Sequence, residues 1–239
     1  MKNILSIDWD YFIEVTDNQR ACLFPDGGNE KLLKSVQNFI WCSRYASTDK
    51  LRKISVDIDE INNLLSLIER YKKDNTQFCV YDSHKKIKRL IEHDHSVNVF
   101  NIDFHHDCCE FSDDVDCGNW ARLLNFRKLY WIRREDSQDD VGPFVDYKYK
   151  AIHNLMDNLQ ELADGIDYVF ICRSPMWMPP HLDSYFESMV LDIADIIGQD
   201  ALLYLDHLFI RWDEDTEKNI EEMKKVQNIL LTRMKGKLK

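Results

Sequence analysis

Three stretches of this chain carry carboxylates and imidazoles two residues apart. SIDWD holds Asp8 and Asp10, DFHHD holds Asp103, His105 and Asp107, and YDSH holds Asp82 and His84. In an extended strand that spacing puts side chains on one face, so each stretch can aim a pair of donors at one point. Such groups are costly to desolvate unless they are paired or bound to a metal. A lone DxD is ordinarily a helix cap or a solvated turn, and DxHxD can be a hydrogen-bonded loop. Three such segments in one chain point instead to a divalent-metal cluster. Four aspartates (Asp8, Asp10, Asp103, Asp107) and two histidines (His84, His105), with no thiolate among them, favour Mn²⁺ over a structural Zn²⁺. Six ligands exceed what one catalytic ion with an open position takes; they suit two ions about 3.5–4 Å apart. The chemistry would be hydrolysis, because a divalent ion lowers the pKa of its water. Two divalent cations and a hydroxide against four carboxylates leave a slightly negative site, suited to a cationic electrophile.

The elements that must position these residues alternate between short apolar runs and longer amphipathic stretches. Strands are expected at 4–9, 77–82, 97–103, 128–133 and 167–172, each rich in Ile, Val, Phe or Tyr. Helices are expected at 30–45, 59–73, 85–93, 120–127, 147–163, 181–197 and 216–234. Asn29 and Asp57 stand at N-cap positions, and Gly165 and Gly198 just past helix ends. Continuously apolar strands separated by helices predict an α/β fold: a mainly parallel sheet covered by helices on both faces. In such sheets the ligand crevice lies beyond the carboxyl ends of the strands, where all three acidic segments fall. The last expected strand likewise ends in a polar Arg173-Ser174-Pro175 turn. Gly/Ser linkers, repeats and low-complexity tracts are lacking, which predicts one domain over residues 1–239.

Composition narrows the function classes. Lys and Arg total 31 against 42 Asp and Glu, a net charge of −11, which disfavours a nucleic-acid backbone as partner. The seven glycines and the absence of GxGxxG and GxxxxGK[ST] argue against a glycine-lined phosphate cradle. No apolar run approaches membrane-spanning length, and no secretory signal is expected, since Asp8 and Asp10 interrupt the only early apolar stretch. Seven scattered cysteines without a CxxC pair suggest a reduced, cytoplasmic compartment.

NIDFHHDC resembles the DxHxD metal motif of the arginase (ureohydrolase) superfamily, SIDWD its SxDxD motif, and VYDSH the GGDH segment that contributes a further histidine. The resemblance implies a three-layer arginase-like fold with two Mn²⁺ per chain. It implies that Asp103 and Asp8 bridge the ions, with His84 and Asp107 completing one and His105 and Asp10 the other. CGNW at 117–120 is similar to the family's Gly-Asn substrate loop, and with the RSP turn it suggests Asn119, Trp120, Arg173 and Ser174 at the mouth. SIDWD precedes DFHHD here, so the order of the motifs is permuted relative to ordinary arginases, and the glycines of GGDH are replaced by Val80 and Tyr81. No glutamate matches the one that grips the guanidinium in true arginases; Glu14, Glu110, Asp116 and Asp183 are substitutes. The closer resemblance is to the divergent arginase-like branch that includes peptide arginases. It implies attack of activated water on an arginine side chain of a precursor peptide, giving ornithine and urea, with Asp10 and His105 as the catalytic residues. The alternatives are another hydrolase of the same fold, acting on a free guanidino compound or an acylated amine, and a non-catalytic metal-stabilised binding protein.

Overall fold

The computed structural model describes residues 2–25, 31–92, 96–110, 112–137, 149–152, 155, 160–200 and 214–237. Six strands form one all-parallel sheet: β1 (Asn3–Asp8), β2 (Lys72–Tyr81), β3 (Asn98–Ile102), β4 (Lys128–Ile132), β5 (Tyr149–Ile152) and β6 (Ile166–Cys172), in the order β2-β6-β1-β3-β4-β5. The helices are α1 (Asp17–Leu23), α2 (Lys34–Ser47), α3 (Ile58–Tyr71), α4 (Lys88–Ile91), α5 (Trp120–Leu123), α6 (Asp183–Ile197) and α7 (Glu214–Lys237). This is the expected α/β layering. No helix among the described residues is long and apolar enough to cross a membrane.

Alternation along the strands divides the core in two. Leu5 and Ile7 of β1, Phe100 and Ile102 of β3, and Val169 and Ile171 of β6 join one cluster with α2, α3 and α6. Ile4, Val99, Phe170 and Cys172 face the other way, into a smaller cluster with Ile87, Ile91, Trp120 and Ala121. By the period of two, Ser6 and Asp8 share the face of Ile4, and Asn101 and Asp103 the face of Val99. The acidic ends of the central strands therefore point towards the thinner layer.

Strand order explains where those ends matter. From β1 the chain leaves towards β2, beyond β6; from β3 it leaves towards β4 on the opposite side. Neighbouring strands whose connections diverge open a crevice at their carboxyl ends. Their register pairs Ser6 with Asn101 and Ile7 with Ile102, so Asp8 and Asp103 follow side by side.

Several local expectations need correction. The stretch 147–163 contains strand β5 where a helix was expected; the residues around it lie largely outside the described ones, as does Asn29. YKAI is only four residues long and places Lys and Ala between its two strand formers, so pairing with β4 supplies the order. The expected helix 85–93 is a 3-10 turn at His84–Ile87 followed by the single turn of α4. The one expected at 120–127 stops at Leu123, after which Leu124 and Phe126 turn into the smaller core. Strand β2 begins five residues early, because the polar stretch after Lys72 lies on the sheet edge, where only β6 must be matched. Asp57 caps α3 by accepting from the Glu60 amide, and Gly198 ends α6 at φ +79°, as the sequence implies.

Candidate metal centre

Strand β1 ends at Asp8, and a 3-10 turn at Trp9–Phe12 carries Asp10 inwards. Asp103, His105 and Asp107 follow β3, and His84 opens the 3-10 turn after β2. The structure brings all six residues together. Asp8, Asp10, His84, Asp103 and Asp107 are buried, whereas the His105 side chain keeps 29% of its surface exposed. The site therefore opens on the His105 side, where Trp177 lies with its ring 5.2 Å from the imidazole.

His84 Nδ1 stands 3.2 Å from Asp8 Oδ2, 3.3 Å from Asp103 Oδ2 and 3.1 Å from Asp107 Oδ2. One ring N–H cannot donate to three carboxylates at once, so the convergence leaves acceptor oxygens that a cation could satisfy. Asp8, His84 and Asp103 form one group able to hold a metal ion; Asp10, Asp103 and His105 form a second, with Asp103 common to both. Asp10 Oδ2 lies 3.2 Å from His105 Nδ1 and 3.1 Å from Arg20, while its Oδ1 is buried without a hydrogen-bond partner. A buried orphan oxygen in a nest of carboxylates fits a bound cation. Asp82 is half-buried and stands outside both groups.

Neighbouring residues hold these donors in place. Ser6 Oγ is 2.7 Å from His84 Nε2, which turns Nδ1 towards the carboxylates. Ser174 Oγ donates to Asp8 Oδ2 at 2.7 Å, Trp120 Nε1 donates to Asp107 Oδ2, and Asn101 Nδ2 donates to Asp103 Oδ2 at 3.1 Å. Asp107 and Ser174 adopt φ of +53° and +48°, a left-handed conformation that costs side-chain-bearing residues roughly 1–3 kcal/mol. One of these residues belongs to the cluster and the other donates to Asp8, so both left-handed conformations occur where the donors converge.

Asn119, Trp120, Arg173 and Ser174, expected at the mouth, are all buried. Asn119 closes its own loop, donating to the Ser112 and Asp114 carbonyls and accepting from the Asp116 amide. Arg173 forks onto Asp183, with the shortest contact at 2.6 Å. Of the substitutes for a guanidinium-gripping glutamate, Asp183 is thus engaged, Asp116 pairs with Lys31 at 2.5 Å, Glu14 accepts from Ser55, and Glu110 is exposed. Sequence reasoning missed Arg20, Ser6, Asn101 and Trp177. Arg20 had a signal: Thr16 and Gln19 form a capping box that starts α1 and presents Arg20 to Asp10.

The side chains alone set unequal proton affinities. Burial, together with the charge of Asp107, holds the Asp103 carboxyl well above the usual range, and burial with Asp10 raises Asp8. Burial also opposes ionisation of Asp10, but Arg20, His105 and His84 outweigh it and keep that carboxyl low. Burial disfavours a charged His84, yet Asp103, Asp107 and Asp8 raise its pKa well above the ordinary value; by the same contest Asp10 raises His105 to about 9. Four carboxylates gather beside the permanent cation Arg20 and two imidazoles of raised proton affinity, so the cluster can take up positive charge as protons or as metal ions. Compared with protein-family models, with curated proteins and with solved structures, the chain matches none, and the meaning of the site rests on its own geometry.

Proposed function

We infer that the protein is a dinuclear manganese hydrolase that cleaves the guanidinium of arginine residues in a peptide, giving ornithine and urea. One observation carries this reading: two buried Asp/His donor groups share Asp103 at the crevice between β1 and β3. Asp8, His84, Asp103 and Asp107 would hold one ion, and Asp10, Asp103 and His105 the other. Two such ions supply Lewis acidity and a water nucleophile at neutral pH. Arg20 fixes Asp10 through Oδ2 and leaves Oδ1 turned to the cluster, where Asp10, as a metal-bound carboxylate, would take part in proton transfer to the departing amine. His105, the most exposed of the six, orients the entering side chain with Trp177.

The test is incubation with Mn²⁺ and arginine-containing peptides, followed by mass spectrometry. Loss of about 42 Da per arginine, the mass change when hydrolysis expels urea, supports the reading. No change, with hydrolysis of acetyl-lysine and one zinc per chain, would assign a deacetylase instead. A metal-dependent rise in melting temperature without turnover of any substrate would make the chain a binding protein.

A further inference from the structure

The chain is acidic overall, with a net charge of −11, yet the residues after His84 read Lys85-Lys86-Ile87-Lys88-Arg89. Ile87 and Ile91 are buried in the smaller core, and around them Lys85, Lys86 and Lys88 are half-buried and Arg89 is exposed. Two cavities meet along this segment and share Lys85 and Lys86. The first, about 220 Å³, adds Lys34 at the start of α2 and Lys31 just before it; the second, about 430 Å³, adds Lys88 and Arg89. Lys31 pairs with Asp116 and Lys88 with Glu92, and Arg89 lies over the Tyr81 ring. Among the described residues, Lys34, Lys85 and Lys86 stand in no ion pair. Asp82 and Asp114 are the carboxylates that line the two cavities apart from Glu92, so positive charge prevails.

The groove borders the candidate metal centre. Ser83 and Lys85, which line the first cavity, flank His84, and Arg173 of the same lining precedes Ser174, the donor to Asp8. We propose that the groove of Lys34, Lys85, Lys86 and Arg89 binds an acidic stretch of the substrate polypeptide, next to the residue presented to the metals. Two adjoining cavities fit an extended chain with carboxylates on successive residues. The acidic remainder of the surface repels a long polyanion, which favours an acidic peptide over a nucleic acid. The proposal rests on the reading of a polypeptide substrate, and its test separates the two.

Fluorescent peptides carrying glutamates beside a central arginine are compared by anisotropy with their glutamine counterparts. Each is also made with alanine in place of the arginine. The glutamate peptides should bind at least about tenfold more tightly than the glutamine ones, whether or not arginine is present, and rising salt should weaken them. Lys85→Gln combined with Lys86→Gln should remove most of that preference at an unchanged melting temperature; Lys34→Gln serves as a second, independent variant. Equal binding of glutamate and glutamine peptides, or undiminished binding by both variants, would overturn the groove. So would a single-stranded oligonucleotide that displaces the peptide at lower concentration than the peptide itself requires. Ornithine formation without any acidic preference would remove the groove and keep the hydrolase; acidic preference without ornithine would do the reverse.

Discussion

Arg20 and Asp10 form a buried ion pair, with 3.1 Å between guanidinium nitrogen and carboxylate oxygen, and Arg20 also donates to the Asp10 carbonyl at 2.6 Å. The guanidinium carbon lies over the Phe104 ring, 4.0 Å from its centroid, so α1 is held against the segment that carries the DxHxD residues. A resident cation at this point offsets one of four clustered carboxylates and fixes which Asp10 oxygen stays available.

Arg20→Met should therefore strip the buried Asp10 of its permanent cation, leave it only the imidazoles as partners, and cost about 3–5 kcal/mol in EDTA. In Mn²⁺ the cost should shrink, because the cation binds the folded protein and takes over the neutralisation. Urea unfolding with and without metal reads both numbers; an identical loss in the two conditions would mean that Arg20 matters to packing alone.

Asp103 belongs to both donor groups, whereas His105 belongs to one. Asp103→Asn, nearly isosteric, should reduce bound manganese towards zero, while His105→Ala should remove only one ion of the pair. Metal content after gel filtration, measured by elemental mass spectrometry, distinguishes the two. Equal stoichiometry in both variants would contradict a shared Asp103.

Trp120 illustrates a support that acts through another residue. Its indole N–H donates to Asp107, and its ring is buried beside His84 at 4.9 Å. Trp120→Phe keeps most of the ring and removes the donor, so about 10–100-fold of metal affinity should be lost, as for other partners of metal ligands. Titration calorimetry with Mn²⁺ checks it. A variant with unchanged affinity would reduce Trp120 to core packing.

The clustered Asp and His donors were legible in the sequence because chemistry and backbone period coincide there: a spacing of two at strand ends is both a motif and a geometry. Asp8, Asp103 and His84 needed no long-range information beyond a parallel sheet. Arg20 was obscure because α1 has seven residues and no apolar stripe, burying Leu23 and Arg20 itself; only the Thr16–Gln19 box marks it. Strand β5 was illegible for the opposite reason, since its order comes from β4 rather than from YKAI. Asn119 and Arg173 show a further limit. A polar residue in a motif loop reads as a ligand for substrate, but burial commits both to protein partners, which only the folded contacts reveal.

Proton affinities at the cluster give the protein a pH dependence that metal should invert. His105 has its pKa raised from 6.5 to about 9 by Asp10, despite burial. A raised folded-state value means the stabilisation is complete below about 6.5 and is lost as pH climbs through about 9. His84, Asp8 and Asp103 are shifted upwards as well and act in the same sense, each losing its contribution with rising pH. Asp10 is shifted downwards, so its contribution is lost only on acidification, below this window. In EDTA the melting temperature should accordingly fall between about pH 6.5 and 9. In Mn²⁺ the histidines must lose their protons to bind, so the stabilisation by metal should grow over that same interval. Melting curves at matched ionic strength decide the matter: parallel pH profiles with and without manganese would mean that these histidines and carboxylates do not ligate it.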